Sequence, residues 1–573
     1  MLDAAGGGFW QLCPDGRYEV AQHYRDRTNI LDTIFRTNSG VVTVTDLMPA
    51  DAHDIREHAR LHDEPRVIRI VECLGGRVRM RHTFNPRPRF ALEPCEFRVD
   101  DQRHVHADTQ RMHLCLSASV DLGSADSTFT LHAGEAAAFS LRSSRVGRCR
   151  GDDWTVEAAR AIFRETRRFW WQWVGKVQYG GPYQQHVWRS ALALKLMTYA
   201  PTGAIVAAPT TSLPEWIGGD RNWDYRFTWL RDASFTLFAF FQLGLIDEAS
   251  SFFHWLAHRR LGRRRRLPNL FDLSGHAHAT EQVLEHLEGY RESRPVRIGN
   301  AATGQLQLDV YGEVLDSAYI YARFGGSISR VLWAELRSIV ELAIDTWELP
   351  DSSIWEVRSE RAHYTYSKLM CWVAVDRGLR IAERFGFAHD SARWKQARRS
   401  MHRRILSEGW SRQRHAFTQI LGGEALDAAM LRVSQTRFLP DRDRRVVSTV
   451  RAIEEHLSAG ILVRRYRTDE SDDGMPGSEG AFFMTSFWLV DALAHIGELE
   501  VASRHFEQLL AFASPLGLFS EEVDPSSGRL LGNYPQAFTH LALVGAAVNI
   551  ERARRRRLGV HGLKAGRAAA RSR

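Results

Sequence analysis

The sequence has few features of an exported, membrane-spanning or disulfide-stabilised protein. Only six cysteines occur in 573 residues, and they form neither a Cys-x-x-Cys pair nor the dense framework that stabilises small secreted domains. The first residues lack a basic segment followed by an apolar stretch, and no run of about 18 uninterrupted apolar residues occurs in the chain. These absences predict a cytoplasmic protein with reduced cysteines and no membrane partner.

Acidic residues are missing from the end of the chain, where positive charge is concentrated. Residues 552–573 contain eight arginines, one lysine and no Asp or Glu. The positive charge of this segment exceeds the net charge of +8 of the whole chain. A second basic run, residues 259–266, contains no aromatic residue. Because a groove for single-stranded nucleic acid interleaves basic and aromatic residues, neither run predicts a nucleic-acid partner.

The first 150 residues show the pattern of an antiparallel β domain. β-Branched residues alternate with polar ones in four predicted strands, residues 41–45, 66–71, 77–81 and 128–131. Gly75 and Gly76 predict a turn between the second and third strands. His104 and His106 match a metal-binding pair on one strand face, but no third ligand is near them in the sequence. The pattern therefore favours an ordinary exposed pair, and no metal is predicted.

The remainder of the chain has helical periodicity. A connecting helix is predicted for residues 151–178, and apolar residues then recur at helical spacing to about residue 557. The predicted helices, with no strand between them, are residues 186–199, 233–241, 249–258, 328–342, 367–385, 482–495, 501–511 and 537–554. This pattern predicts an all-α domain over residues 179–557 with its helices closed into a ring, followed by a disordered basic tail over residues 558–573.

Charged and aromatic residues alternate in three long loops of the helical region, residues 209–232, 297–313 and 464–480. Carboxylate and guanidinium groups can hydrogen-bond sugar hydroxyls while aromatic rings cover the C–H faces of a sugar, so these loops predict a carbohydrate site. The alternative interpretation is structural. Arg231 and Asp232 also match a buried pair that caps the start of a helix, and the loop alone does not decide between the two.

Two glutamates beside aromatic residues, Glu356 and Glu521, are the candidate catalytic residues. Hydrolysis of a glycosidic bond needs one carboxyl group that is protonated and a second that is ionised. Apolar neighbours such as Ile354 and Trp355 favour the neutral form of a carboxyl group, so Glu356 is the expected acid. An isolated glutamate is more often a solvated surface residue, so the assignment depends on the wider pattern.

That wider pattern consists of motifs in a fixed order. Asn222-Trp223-Asp224-Tyr225-Arg226 leads into Trp229-Leu230-Arg231-Asp232, and Ile354-Trp355-Glu356 and Ser520-Glu521-Glu522 follow. In this order the chain resembles glycoside hydrolase family 15, the glucoamylase and bacterial trehalase family, over nearly its whole length. The resemblance implies a mainly α fold, an (α/α)6 barrel preceded by an antiparallel β-sandwich, and inversion at the anomeric carbon.

The resemblance also implies roles for individual residues. Glu356 corresponds to the general acid of the Trp-Glu motif and Glu521 to the general base. The implied substrate-binding residues are Tyr225, Trp229, Arg231, Asp232, Asp309, Trp355, Arg465, Glu479 and Glu522. Among these, Arg231 and Asp232 resemble the pair that holds the non-reducing glucose, and Arg465 resembles the arginine of the family's Arg-Tyr motif. No cofactor and no metal are implied.

The chain departs from the family pattern in two places. It enters the sandwich without the first strands, so its start is expected to be misassigned or truncated. Residues 259–266 and 271–278 also differ from the sequence that family members usually have near the rim of the substrate site. The expected function is that of an inverting exo-α-glucosidase that releases glucose from a small α-glucoside, with α,α-trehalose as substrate. The alternatives are a glucoamylase or isomalto-oligosaccharide hydrolase and, more remotely, an inactive sugar-binding protein or a helical repeat module.

Overall fold

The computed structural model describes residues 1–50, 65–100, 104–145, 151–259, 261 and 265–558. Its contacts divide the chain into two compact units, Met1–Lys176 and Val177–Arg573. Within the described ranges, no helix combines the length and the apolar character needed to cross a membrane. The predicted basic tail lies outside the described residues from residue 559 onward.

The first unit is built on a large antiparallel sheet. Its strands are β1 (Phe9–Pro14), β2 (Glu19–Tyr24), β3 (Leu31–Thr37), β4 (Gly40–Leu47), β5 (Arg66–Asn85), β6 (Glu96–Val99), β7 (Val105–Asp108), β8 (His113–Ala118), β9 (Asp126–His132) and β10 (Ala136–Ser144). They pair in the order β2-β3-β4-β5-β10-β8-β7-β6, and β1 and β9 also pair with β5. Buried side chains such as Val44, Val71 and Phe139 form the core, and helix α1 (Val156–Val174) packs against β5 and β10.

The turn predicted at Gly75 and Gly76 is wrong, because both residues lie inside the continuous strand β5. Gly76 has a φ of +74°, and the pairing of β4 with β5 shifts register opposite this point. A bulge that places one residue at positive φ is readily formed by glycine. The glycines therefore let β5 exchange partners, pairing first with β4 and β10 and then with β1 and β9.

The prediction that His104 and His106 are exposed is also wrong, since the two residues are only 5% and 2% exposed. Asp100 Oδ2 lies 3.1 Å from His104 Nδ1 and 2.9 Å from His106 Nε2. The three side chains offer ligand atoms within 4.8 Å of one another. The hydrogen bonds to one shared carboxylate explain this grouping without an ion, although His106 Nδ1 is buried and has no hydrogen-bond partner among the described residues.

The second unit is mainly helical. Its helices are α2 (Gln184–Leu196), α3 (Ala233–Gln242), α4 (Ile246–Ala257), α5 (Asp309–Arg323), α6 (Arg330–Thr346), α7 (Thr365–Phe385), α8 (Ser391–Glu408), α9 (Val433–Thr436), α10 (Arg444–Leu457), α11 (Phe483–Ile496), α12 (Leu499–Leu510) and α13 (Ala537–Arg557). Short 3-10 turns, including Ala428–Arg432, lie between them.

Short strands also lie between these helices, contrary to the prediction. They are β11 (Thr198–Tyr199), β12 (Ala204–Ile205), β13 (Thr228–Trp229), β14 (Leu270–Phe271), β15 (Gln282–Val283), β16 (Arg297–Ile298), β17 (Trp410–Ser411), β18 (Ala416–Phe417), β19 (Ser458–Ala459), β20 (Leu462–Val463), β21 (Ala481–Phe482), β22 (Glu522–Val523) and β23 (Leu530–Leu531). Strands of two residues carry no periodic signal, so the sequence does not reveal them.

Helix packing in the second unit forms a closed circuit. α3 packs against α5, α5 against α7, α11 against α13 and α13 against α3, while the turn Ala428–Arg432 and α9 connect α7 with α11. The other helices, α2, α4, α6, α8, α10 and α12, each pack against one or two members of this circuit. Among the helices of the circuit, α3 and α11 are strongly apolar, and α7 and α11 bury most of their side chains.

Candidate active site

The loops predicted to carry chemistry meet where helices of the circuit begin. Arg231 and Asp232 directly precede α3, and Asp309 is the first residue of α5. Glu522 lies in β22 and pairs with Phe482, the residue before α11. Helix starts from distant parts of the chain therefore bring these side chains into one region.

The interpretation of Arg231 and Asp232 as a helix-capping pair is wrong. Asp232 occupies the N-cap position of α3, but its side chain makes no capping hydrogen bond. Arg231 instead forms an ion pair with Glu356, with Nη2 and Oε1 2.9 Å apart, and its Nη1 donates to Gln307 Oε1 at 3.2 Å. The pair is thus directed toward the site rather than toward the backbone of the helix.

Glu356 lies in a polar environment, whereas its neighbours in the sequence predicted an apolar one. Its Oε1 accepts hydrogen bonds from Trp229 Nε1 at 2.7 Å, Arg231 Nη2 at 2.9 Å and Gln307 Nε2 at 3.3 Å. The side chain keeps 17% exposure and lines a pocket shared with Tyr225. Glu356 also has a φ of +60°, a conformation that costs a non-glycine residue about 1–3 kcal/mol and recurs at functional sites.

Trp355 lines the same pocket and is held by two partners. Its indole Nε1 donates to Asp427 Oδ1 at 2.8 Å, and Asp427 also caps the turn Ala428–Arg432 by accepting from the Ala429 backbone N–H. The Arg465 guanidinium lies 5.6 Å from the centre of the Trp355 ring. The orientation of this ring is therefore fixed by a buried carboxylate and a cation–π contact.

Glu521 is 1% exposed and interacts with Tyr225. Burial raises the pKa of Glu521 well above its usual range, and the hydrogen bond from the Tyr225 side chain opposes this rise. Gln536 Nε2 donates to Glu521 Oε1 at 3.3 Å. Gly532 has a φ of +72°, and a Cβ there would lie 2.6 Å from Glu521 Oε2, so a glycine is needed beside this carboxyl group.

Three further glutamates form a buried cluster next to Glu521. Glu215, Glu479 and Glu522 offer oxygen atoms within 4.8 Å of one another. Arg465 forms an ion pair with Glu479 and lies 4.0 Å from Glu215. Burial raises the pKa of Glu215 to about 7, and burial together with the charges of Glu215 and Glu479 raises the pKa of Glu522 well above its usual range. Arg465, together with Arg221 at 3.4 Å from Glu479, compensates part of this negative charge.

Asp232 and Asp309 extend the acidic surroundings of Arg231. Burial raises the pKa of each of these carboxyl groups to about 7, against the opposing charge of Arg231. The nearby charge of Glu356 raises both values further. One guanidinium therefore faces three carboxyl groups, which is an arrangement suited to bind neutral, hydroxyl-rich molecules that exchange hydrogen bonds with both kinds of group.

The structure also assigns contacts to residues that the sequence analysis did not single out. Arg221 donates to both carboxylate oxygens of Asp473, at 2.8 and 3.2 Å, and both residues line the pocket together with Glu215. Arg221 and Glu215 lie within the loop at residues 209–232. The sequence pattern therefore predicted the loop as part of the site, but it did not predict a role for these two residues. Asp427 had only the weak signal of a capping residue before two alanines.

Glu313 provides a test of how strongly this interior disfavours charge. It is 1% exposed and accepts hydrogen bonds from Ser234 and, at 3.0 Å, from the Tyr366 hydroxyl. Burial raises its pKa from 4.5 to about 8. Between these two values the folded protein keeps a proton that the unfolded chain has lost, so stability must fall as pH rises, by about 1.4 kcal/mol per pH unit at most.

We therefore expect Glu313→Gln to remove most of this dependence. The free energy of unfolding of the variant, measured by urea titration at several pH values from about 5 to 8, should decline less with pH than that of the parent protein. Glu360→Gln, which changes an exposed glutamate, should follow the parent curve. Parallel curves for all three proteins would contradict the protonated state of Glu313.

Comparison with known proteins identifies the family. Residues 181–548 match the family model described as glycosyl hydrolases family 15. The chain is 39% identical to a trehalase of Mycolicibacterium smegmatis, with 96% of this chain and 85% of that protein covered. It is 35% identical to a trehalase of Thermoplasma acidophilum, with 96% and 94% covered.

A solved structure supports the same fold. A bacterial glucoamylase complexed with acarbose superposes with a TM-score of 0.68 and 13% identity, covering 93% of this chain and 86% of that one. At this identity the likeness concerns the fold alone. The family match covers most of the helical unit, and the two trehalases are 39% and 35% identical to this chain. The chain therefore belongs to the glycosyl hydrolases of family 15 and is a glycoside hydrolase.

Proposed function

We propose that this glycoside hydrolase is an inverting exo-α-glucosidase whose substrate is α,α-trehalose. The observation that carries the mechanism is the position of Tyr225. Its ring lines the pocket with Glu356. Burial, followed by the charges of Glu521, Glu215 and Glu356, raises the pKa of its hydroxyl well above the usual range. The choice of trehalose is supported by the trehalases to which the chain is similar.

The proposed architecture is an (α/α)6 barrel preceded by a β-sandwich. The closed circuit of α3, α5, α7, α9, α11 and α13, with a second helix packed against each member or its neighbour, supports the barrel. The division of β5 between two groups of partner strands around one core supports the sandwich. In such a barrel the loops at the helix starts form the substrate pocket.

Glu356 is the proposed general acid. A glucose unit in the pocket would accept hydrogen bonds from Arg231 and donate to Asp232, which draws the guanidinium away from Glu356. Once protonated, Glu356 gives its proton to the glycosidic oxygen as the C1–O bond breaks, so the departing glucose leaves as a neutral alcohol. Trp229 Nε1, at 2.7 Å from Glu356 Oε1, holds the carboxyl group in position for this step.

Glu521 is the proposed general base, which takes a proton from the water that attacks C1. This role requires Glu521 to be the ionised member of the buried carboxyl cluster. Tyr225 and Gln536 favour its carboxylate form. Glu522 also accepts a hydrogen bond, from the Gly480 N–H at 2.7 Å, and Glu215 and Glu522 are the proposed proton carriers. Because charges this close cannot all be present together, the cluster titrates as a unit.

The remaining predicted residues have proposed binding roles. Trp355 covers one face of the glucose ring, and Arg465 holds both Trp355 and Glu479. Asp309, Glu479 and Glu522 are buried, and their proposed role is to accept or donate hydrogen bonds at the hydroxyls of the glucose unit. Together these groups recognise one glucose unit at its non-reducing end, which gives the exo mode of cleavage.

The product anomers test this proposal. Inverting hydrolysis of α,α-trehalose places the water oxygen on the β face of one glucose and leaves the other glucose as the α anomer, so proton NMR should show equal initial amounts of α- and β-glucose. Release of α-glucose alone would contradict inversion. Maltose, isomaltose and soluble starch are the parallel substrates, and faster glucose release from one of them than from trehalose would indicate the glucoamylase or isomalto-oligosaccharide alternative.

Arg231→Ala should lower kcat/KM for trehalose about 10- to 100-fold, because a charge-assisted hydrogen bond contributes about 1.5–3 kcal/mol. Thermal melting should remain cooperative. Arg399→Ala, which removes an exposed arginine of α8, should leave both properties unchanged. An unfolded Arg231→Ala protein whose residual folded fraction works normally would assign Arg231 a structural role instead.

A further inference from the structure

A second cavity lies inside the helical circuit, at the end opposite the candidate active site. Its volume is about 830 Å³, which is sufficient for a ligand of nucleotide size. The C-terminal parts of α5, α11 and α13 contribute to its wall, whereas the candidate active site lies where the same helices begin. The mouth of the cavity is therefore remote from the candidate active site. Its inner wall includes Phe235, near the start of α3, and Trp488, whose ring centre lies 6.3 Å from that of Trp355.

The wall of this cavity carries an excess of positive charge. Seven arginines and three aspartates line it. Asp316 is paired with Arg377 at 2.6 Å, and Asp491 accepts a hydrogen bond from Asn549 at 2.8 Å and lies 3.1 Å from His495 Nδ1. Two of the three aspartate carboxylates are therefore already paired with other side chains of the protein.

Arg432 forms no ion pair in the described part of the chain, although its charge contributes to lowering the pKa of Glu313 and of Asp491 against the effect of burial. It lies 4.2 Å from the centre of the Phe235 ring and 5.7 Å from that of Trp488. Its Nε is buried and has no hydrogen-bond partner among the described residues. The ring of Phe235 stacks on that of Trp488, so an aromatic wall presents this guanidinium to the cavity.

Arg552 and Arg556 add charge at the mouth. Arg552 donates to Gln242 and to Asn549, and neither contact supplies negative charge. Burial, followed by the charges of Arg556 and Arg323, lowers the pKa of Arg552, with Asp491 opposing. Like charges are therefore held close together here, which raises the free energy of the site until an anion binds.

The C-terminal ends of helices favour arginines, and this effect offers an alternative explanation for Arg323, Arg552 and Arg556. The effect is weak for residues near solvent and is confined to the last turn of a helix. It does not explain why Arg432, on the inner wall, faces an open volume without an ion pair in the described part of the chain. Guanidinium groups match phosphate oxygens in geometry as well as in charge.

We propose that this cavity binds a small molecule that carries several phosphate groups, with Arg432 on the inner wall and Arg552 and Arg556 at the mouth. Several phosphates are required because the excess charge is distributed between the wall and the mouth rather than concentrated at one point. A free oligophosphate and a nucleoside triphosphate share this chemistry, and both fit the volume. The proposal concerns a site separate from the catalytic pocket and does not depend on the identity of the sugar substrate.

Isothermal titration of the full chain at neutral pH and low salt tests the proposal with three probes: tripolyphosphate, ATP without divalent metal, and adenosine. We expect tripolyphosphate and ATP to bind with one equivalent per chain and a Kd of about 1 mM or tighter, and adenosine not to bind. Arg432→Gln should weaken tripolyphosphate binding about tenfold or more. Arg399→Gln should leave it unchanged.

A second variant keeps the test decisive if Arg432→Gln does not fold. Arg552→Gln combined with Arg556→Gln changes only side chains that reach the surface and should also weaken binding about tenfold or more. No binding of either phosphate probe would overturn the proposal. Binding that is unaffected by the cavity variants, which would place the anion elsewhere on this basic chain, or binding of adenosine without tripolyphosphate, would overturn it equally.

Discussion

Glu356→Gln should lower kcat/KM for trehalose by about 10²–10⁴-fold while leaving the hydrolysis of α-glucosyl fluoride largely intact. Removal of a general acid typically costs this factor when the leaving group must be protonated. Fluoride leaves as a stable anion and needs no proton, so the step that Glu356 is proposed to assist is absent with this substrate. The comparison of the two substrates therefore isolates proton donation from binding.

The isosteric change keeps the hydrogen-bond geometry of the site largely in place. In the Glu356→Gln variant the new amide oxygen would still accept from Trp229 and Gln307, although the ion pair with Arg231 would be lost. Glu360→Gln, four residues away on an exposed position, is the matched control and should be fully active on both substrates. If Glu356→Gln instead lost both activities equally, the side chain would not be the proton donor.

Much of the helical unit was predictable because its helices have clear apolar periodicity. The predicted helix at residues 233–241 corresponds to α3, Ala233–Gln242, and that at residues 367–385 to α7, Thr365–Phe385. α5 was assigned in part to a loop because its first two turns contain Asp309 and Glu313, which are buried in the structure. Charged residues at buried helix positions imitate a solvent-exposed segment, so the pattern misleads at the site itself.

The order of the motifs predicted which side chains belong together, but it did not predict their electrostatic surroundings. Ile354 and Trp355 suggested an apolar setting for Glu356, yet Arg231, which is 125 residues away in the chain, supplies its ion-pair partner. The pKa of Glu521 is likewise shifted by Glu215 and Tyr225, which are distant from it in the sequence. Such contacts depend on tertiary packing, which local sequence does not encode.

Glu521→Ala should abolish measurable hydrolysis of both trehalose and α-glucosyl fluoride, with a loss of about 10²–10⁴-fold or more. Both reactions need an activated water, whatever the leaving group. The contrast with Glu356→Gln distinguishes the two roles, because the base variant gains nothing from a better leaving group. If the roles were reversed, as the raised pKa of Glu521 would favour, Glu521→Ala would retain activity on the fluoride and Glu356→Gln would lose it.

Azide provides the decisive measurement for Glu521→Ala. The space left by the carboxyl group admits a small anion that attacks C1 without needing a base, so the C1–F bond breaks, fluoride leaves and a C1–N bond forms on the opposite face. We expect β-glucosyl azide from α-glucosyl fluoride, identified by NMR, together with partial recovery of the rate. The parent enzyme, which uses water, should form little of this product. Formation of the α-azide, or no recovery in a variant that melts cooperatively, would contradict the assignment of Glu521 as the base that directs attack from the β face.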